Sequence, residues 1–249
     1  MKQYNLYIYV ILSTPSLFTM EKKTQELKKH LFYEYNWWAN MQEIKRLLKT
    51  YQDELAQFKH NKTPQGDTLI NLTARYGEAE SMQLLLSTIG DKNLIDDANY
   101  NGTTPLMNAI IEKKPEMIHL LLDYEADTNK LDNYGASALT RAAAHGTPDL
   151  IKLMVVKYKA QINLEQKMTP LSMAILFINL DNVRALLTLG ANPNNQAYGK
   201  SPLFLILDQY SKKQTQEKKD LARAIARILL ENGANSDELK KEFMAKNIT

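Results

Sequence analysis

Apolar positions along this chain fall in short blocks of helical spacing separated by polar turns, and the blocks come back. Thr104-Pro105-Leu106-Met107-Asn108-Ala109 is followed by Ser137-Ala138-Leu139-Thr140-Arg141-Ala142, by Thr169-Pro170-Leu171-Ser172-Met173-Ala174 and by Ser201-Pro202-Leu203-Phe204-Leu205-Ile206. A diverged copy, Thr68-Leu69-Ile70-Asn71-Leu72-Thr73, precedes them. The copies begin at 68, 104, 137, 169 and 201, in steps of 36, 33, 32 and 32. Behind them come second apolar blocks with paired leucines: Leu85-Leu86, Leu121-Leu122, Leu186-Leu187 and Leu229-Leu230. A period of this length predicts stacked helix pairs, none of which can bury its apolar face alone. The Thr or Ser that opens each first block predicts an N-cap. Pro105 fits a first helical turn, where its missing N–H costs nothing. The glycines just upstream predict turns with positive φ.

The pattern weakens at both ends. Residues 21–61 hold two helical stripes: Leu27, Leu31, Tyr35 and Trp38, then Ile44, Leu47, Leu48, Tyr51, Leu55 and Phe58. Leu47-Leu48 falls in register with the later leucine pairs, so 21–61 reads as a degenerate first repeat. Residues 1–20 open with the apolar Tyr4–Leu12. That run suits a dispensable extension, the weak core of a secretory signal or an integral strand; the extension is preferred, because only Lys2 precedes the run and no small-residue cleavage site follows. Five repeats are expected over 62–235. Finger five should be short, since Ile162 stands closer to Thr169 than Ile95 does to Thr104. A polar insertion at 208–220 interrupts the last repeat and, lacking Gly and Pro, predicts lengthened helices with a polar connector. Ser236 would cap a terminal helix over 236–249, whose Leu239, Phe243 and Met244 give it one apolar face.

Composition narrows the function. The chain has no cysteine, which removes thiolate nucleophiles and Cys-type zinc sites. With 31 basic against 28 acidic residues, its charge is too balanced to point to nucleic acid as the partner. No apolar run approaches the ~18 residues of a membrane span. The four histidines, His30, His60, His119 and His145, form no metal-ligand spacing. No phosphate loop or nucleophile elbow is present. Asp96-Asp97 and Asp123 are isolated carboxylates at helix ends and turns. Catalytic residues, metal and cofactor are therefore all expected to be none.

The blocks G-T-T-P-L-M-N-A, G-A-S-A-L-T-R-A, M-T-P-L-S-M-A and L-L-E-N-G-A-N resemble the ankyrin repeat. The resemblance implies an all-α solenoid of about six repeats, with short β-hairpin fingers and a C-terminal capping helix. The family's His after T-P-L is missing; Asn71, Met107, Thr140, Ser172 and Phe204 take its places. In the family that His ties adjacent loops together, so its loss implies a looser network between fingers and more reliance on helix packing. Asn129 occupies a place where repeats of the family can be hydroxylated.

The resemblance also places a partner groove on the concave face, from finger tips and the ends of the first helices. Seven and eight residues after each helix-start Thr or Ser come Arg75 and Tyr76, Ile111 and Glu112, Ala144 and His145, Leu176 and Phe177, and Asp208 and Gln209. Trp37 and Trp38 come from the degenerate repeat, and Tyr100, Asn101, Asn133, Tyr134, Tyr198 and Lys200 from the fingers. This set is rich in Trp, Tyr and Arg, the types that dominate interface energetics. Ile111, Leu176 and Phe177 would form a contiguous apolar strip, which a monomer seldom exposes without a use. The expected function is non-catalytic binding of another protein by a cytoplasmic monomer. The expected setting, inferred from an Asn-, Lys- and Ile-rich, cysteine-free short array, is that of a bacterial effector in a host cytosol. Alternatives are an assembly protein in its own cell, or an enzyme with a site beside the 208–220 insertion.

Overall fold

The computed structural model describes residues 61–164, 167–211 and 215–237, with Lys49 alone before them. The expected degenerate repeat, the N-terminal extension and nearly all of the terminal helix lie outside these residues. Among residues 61–237 as described, ten α-helices form five antiparallel pairs: α1 Leu69–Tyr76 with α2 Ala79–Ile89, α3 Pro105–Ile111 with α4 Pro115–Asp123, α5 Ala138–His145 with α6 Pro148–Val156, α7 Pro170–Leu176 with α8 Leu180–Thr188, and α9 Pro202–Ser211 with α10 Gln216–Glu231. The odd-numbered helices stack side by side as an inner row and the even-numbered ones as an outer row. Both helices of the last pair are longer than their counterparts, at 10 and 16 residues.

Each inner helix starts as its cap residue dictates. The hydroxyls of Thr68, Thr104, Ser137 and Thr169 accept the backbone N–H three residues on, and Ser201 does the same for Phe204. Such a cap is worth about 1 kcal/mol. Alanines decide how closely the rows stack. Ala138, Ala142, Ala143 and Ala144 of α5 are all buried, and α5 makes its tightest inner packing with α7. The second-row leucines Leu85, Leu121 and Leu186 are fully buried between the rows.

The fingers are tight turns. An isolated antiparallel bridge between Ala197 and Lys200 is the β pairing among the described residues. One side chain organises each turn from within. Thr63 Oγ1 accepts the Asp67 N–H, Asn99 Oδ1 those of Asn101 and Thr103, and Asp132 Oδ1 those of Tyr134 and Ala136. Gly66 and Gly102 sit at φ +84° and +75°, and a Cβ on either would lie 2.5 Å from the Tyr100 ring or 2.8 Å from the Asn133 nitrogen. Glycine is required there twice over, by conformation and by the approach of the next finger.

At two of the five places where the family's His is missing, the residue present reaches the next loop. Asn71 is fully buried, donates to the Asp97 carbonyl and accepts from Asn108 Nδ2 at 2.9 Å. Thr140 Oγ1 donates to the Met168 carbonyl. Fingers are joined by Tyr100 N–H to Gln65 O, Asn133 N–H to Asn101 O and Tyr198 N–H to Lys167 O. The loops after the outer helices add a second ladder. Asp96, Asn129, Asn163 and Asn194 each accept, through the side chain, a backbone N–H of the next repeat: Asp127, Gln161, Asn192 and Asn235, at 2.7–2.9 Å. Asn129 is thus a structural member of this ladder.

Candidate functional site

The expected partner face draws on inner-helix ends and finger tips, and contacts run between repeats at both. Arg75, exposed at the end of α1, places Nε 3.3 Å from Glu112 Oε1 of the next repeat and its guanidinium 5.3 Å from the Tyr76 ring. Tyr76 packs partly on the core. One step further along the stack, the His145 ring meets the Phe177 ring edge-on, with centroids 5.2 Å apart and planes at 71°. Burial and the positive charges of Arg141 and Lys113 hold the His145 imidazolium below its ordinary pKa. Phe177 remains 52% exposed despite this contact.

The finger tips carry the strongest exposure. Tyr100, Tyr134 and Tyr198 are 64%, 58% and 61% exposed, flanked by the exposed Asn101, Asn133 and Lys200. The Lys62 ammonium lies 5.9 Å from the Tyr100 ring and donates to the Ala98 carbonyl. The Lys200 ammonium lies 5.0 Å from the Phe204 ring, a second cation–π contact among these residues. Lys62 and Phe204 were not among the expected residues; Lys62 precedes Tyr100 by 38 residues, so no neighbour in the sequence signalled their contact.

One expectation about this face is corrected. Ala144 is buried, because its small side chain lets α5 and its neighbours close over it. Of the expected apolar strip, Phe177 is exposed and meets His145, while Ile111 and Leu176 are half-buried, Leu176 against the core. Asp208 is half-buried on α9, where Gln209 is helical; Trp37 and Trp38 lie outside the described residues.

Elsewhere the titratable groups serve the stack. Lys114 Nζ donates to the Gly77 carbonyl at 2.8 Å, and burial lowers its pKa. Asp123 accepts from Tyr158 Oη and from Lys157 Nζ, which pushes the carboxyl down, and Lys157 Nζ donates to Tyr158 Oη and to Asp123, which pushes the ammonium up. Among the described residues, His, Asp and Glu side chains do not gather in threes that could hold a metal ion. Within the same residues, no helix is long and apolar enough to cross a membrane.

The family model for ankyrin repeats in three copies matches residues 37–132, 70–166 and 113–197, which together span most of the chain. This chain belongs to the ankyrin-repeat family. It is similar to the nuclear factor NF-kappa-B p105 subunit of Gallus gallus, 27% identical over 199 residues, covering 76% of this chain and 20% of that protein. A shorter likeness is to the L-asparaginase of Dirofilaria immitis, 32% identical over 90 residues, 36% of this chain and 15% of that enzyme. The chain thus spans a fifth or less of the length of these two relatives. Among solved structures, the ankyrin repeat domain of Bcl-3, a member of the IkappaB family, superposes with a TM-score of 0.61 at 22% identity, covering 80% of this chain and 83% of that one. The likeness establishes the fold. Ankyrin repeats are a non-catalytic protein–protein interaction scaffold, and this chain carries such a module.

Proposed function

We propose that this chain binds a single protein partner along the face built from its finger tips and inner-helix ends, acting as a monomer without catalysis. The observation that carries this reading is the set of exposed finger tyrosines, Tyr100, Tyr134 and Tyr198, together with the exposed Phe177. Aromatic side chains held on rigid turns lose little entropy on binding and supply large contact areas. The Arg75–Glu112 and His145–Phe177 pairs support it, because they fix the orientation of side chains that cross from one repeat to the next. Residues 21–61 are read as a further repeat extending this face through Trp37 and Trp38, a reading supported by the family match beginning at residue 37. Residues 62–235 are read as the five-repeat array and 236–249 as its terminal cap. The cellular setting we favour is an effector in a host cytosol, on composition alone.

The test is affinity capture with the full chain, wild type against Tyr76→Ala/Tyr134→Ala/Phe177→Ala. The triple variant should bind a captured partner at least about a hundredfold more weakly while keeping its helical circular dichroism. Unchanged binding by a folded triple variant would assign the partner to another face.

A further inference from the structure

The position four residues after each inner-helix cap is held by Leu72, Asn108, Arg141, Met173 and Leu205. All but Arg141 are uncharged and buried. Arg141 comes from α5, the middle helix of the inner row. Its Nη2 donates to Asp132 Oδ2, and the Asp132 side chain is fully buried. The other Asp132 oxygen accepts the N–H groups of Tyr134 and Ala136. One carboxylate thus closes the turn that carries Tyr134 and fastens that turn to α5. Among the described residues this is the ion pair that joins a finger to a helix.

The other two finger tyrosines are held differently. Asn99, which closes the Tyr100 turn, donates its Nδ2 to Asp67 of the preceding finger. Tyr198 follows Ala197, whose methyl group can bind nothing polar, and that turn is closed by backbone bonds between Ala197 and Lys200. Packing alone does not call for an arginine at position 141. Leucine fills the matching place in α1 and α9, and replacing a buried ion pair by apolar residues is often neutral or stabilising. The arginine also leaves its Nε–H buried without an acceptor, a penalty that leucine would not carry. What the pair adds is a charged tie from one finger to one helix.

We propose that Arg141 is a positioning residue of the partner face: through Asp132 it locks the Tyr134 turn onto α5 and makes Tyr134 the pre-organised anchor among the three finger tyrosines. A group ordered before contact loses less entropy on binding, so Tyr134 should outweigh the comparably exposed Tyr100 and Tyr198. This role rests on the reading that the finger tyrosines meet a protein partner; the hold on Tyr134 itself does not.

The deciding variant is Arg141→Leu/Asp132→Asn in the full chain. It gives repeat four the leucine of α1 and the asparagine of the Tyr100 turn, and it keeps the Oδ1 acceptor. Amides of Tyr134 and Ala136 should exchange about tenfold faster than in wild type, with the loss confined to this finger. Arg141→Lys, which still donates to Asp132, should keep most of the protection. Unchanged exchange at Tyr134, or a loss spread over the whole array, would overturn the positioning role. Wild type supplies a measurement that no folding defect can spoil: backbone 15N relaxation should find Tyr134 the most ordered of the three tyrosines. A Tyr134 no more ordered than Tyr198 would overturn the role as well. Against a captured partner the double variant should bind about tenfold more weakly, and in a Tyr134→Ala background the same change should cost nothing further. An equal loss with and without Tyr134 would make Arg141 a contact in its own right and sink the proposal. If capture ignores Tyr76→Ala/Tyr134→Ala/Phe177→Ala, the partner-face reading fails, while exchange and relaxation still decide the hold on Tyr134.

Discussion

Single side chains settle more here than their chemistry alone suggests, because the array sets each one against its counterpart in the next repeat. Gly102 and Gly190 make the point. Both have positive φ, +75° and +91°, but a Cβ on Gly102 would meet the backbone of the next finger while one on Gly190 meets nothing within 4 Å. Gly190→Ala should therefore cost only its conformational strain, about 1 kcal/mol, and Gly102→Ala about 2–3 kcal/mol in a urea unfolding midpoint. Equal losses would show that the fingers yield without resistance. At this scale the sequence was legible wherever the requirement is local. A Thr or Ser cap and a turn glycine act on their own backbone, and Thr104 and Gly102 stand where the pattern places them. The replacement of the family's His was legible as an absence only. That Asn71 reaches the Asp97 carbonyl depends on a repeat later in the chain.

Between residue and array lies the helix pair. Here a count of seven or eight residues along a helix names the end that faces the groove, but not how far it protrudes. Ala144 fails that count because α5 is an alanine helix drawn in by its neighbours, and Leu176 is half taken by the core. His145 passes it, and its setting has a measurable consequence. Arg141 on its own helix and Lys113 of the preceding repeat disfavour the imidazolium, as burial does. The folded chain thus binds that proton less readily than the unfolded chain. Stability should be full above the ordinary histidine value of about 6.5 and fall as pH drops through the lower folded value. His145→Gln should flatten that slope in urea midpoints taken from neutrality to pH ~5. Asp96, whose carboxyl burial pushes up, runs the other way and at lower pH, so the comparison with the variant is what isolates His145. An identical slope in both proteins would mean that the ring is solvated.

For the whole molecule, stability is a sum of helix pairs and the junctions between them, with protection ordinarily falling toward the ends. The outer row is loosest between α4 and α6, whose first turns leave a cavity of about 520 Å³ between them, and this open junction should put a minimum inside the array instead. Amides in the first turns of α6 should exchange about tenfold faster than those of α8, which Asn182 ties to the preceding turn. Monotonic protection from centre to ends would contradict this. No pattern of apolar residues announces that junction, since it turns on one polar position in α8, Asn182, having an apolar counterpart in α6, Leu150. The side-chain ladder of the outer loops has a different consequence. Each loop presents a backbone N–H to the unit before it and, two residues later, a side-chain acceptor to the unit after it: Gln161 and Asn163, then Asn192 and Asn194. From Asn129 onward the three joints are therefore chemically the same, a side-chain amide oxygen accepting a backbone N–H. A chain lacking 131–163 would offer Asn129 to the N–H of Asn192 and close the ladder without a new interaction. Length in this protein is an editable quantity, which a lineage can shorten or extend by whole units while the joints stay as they are.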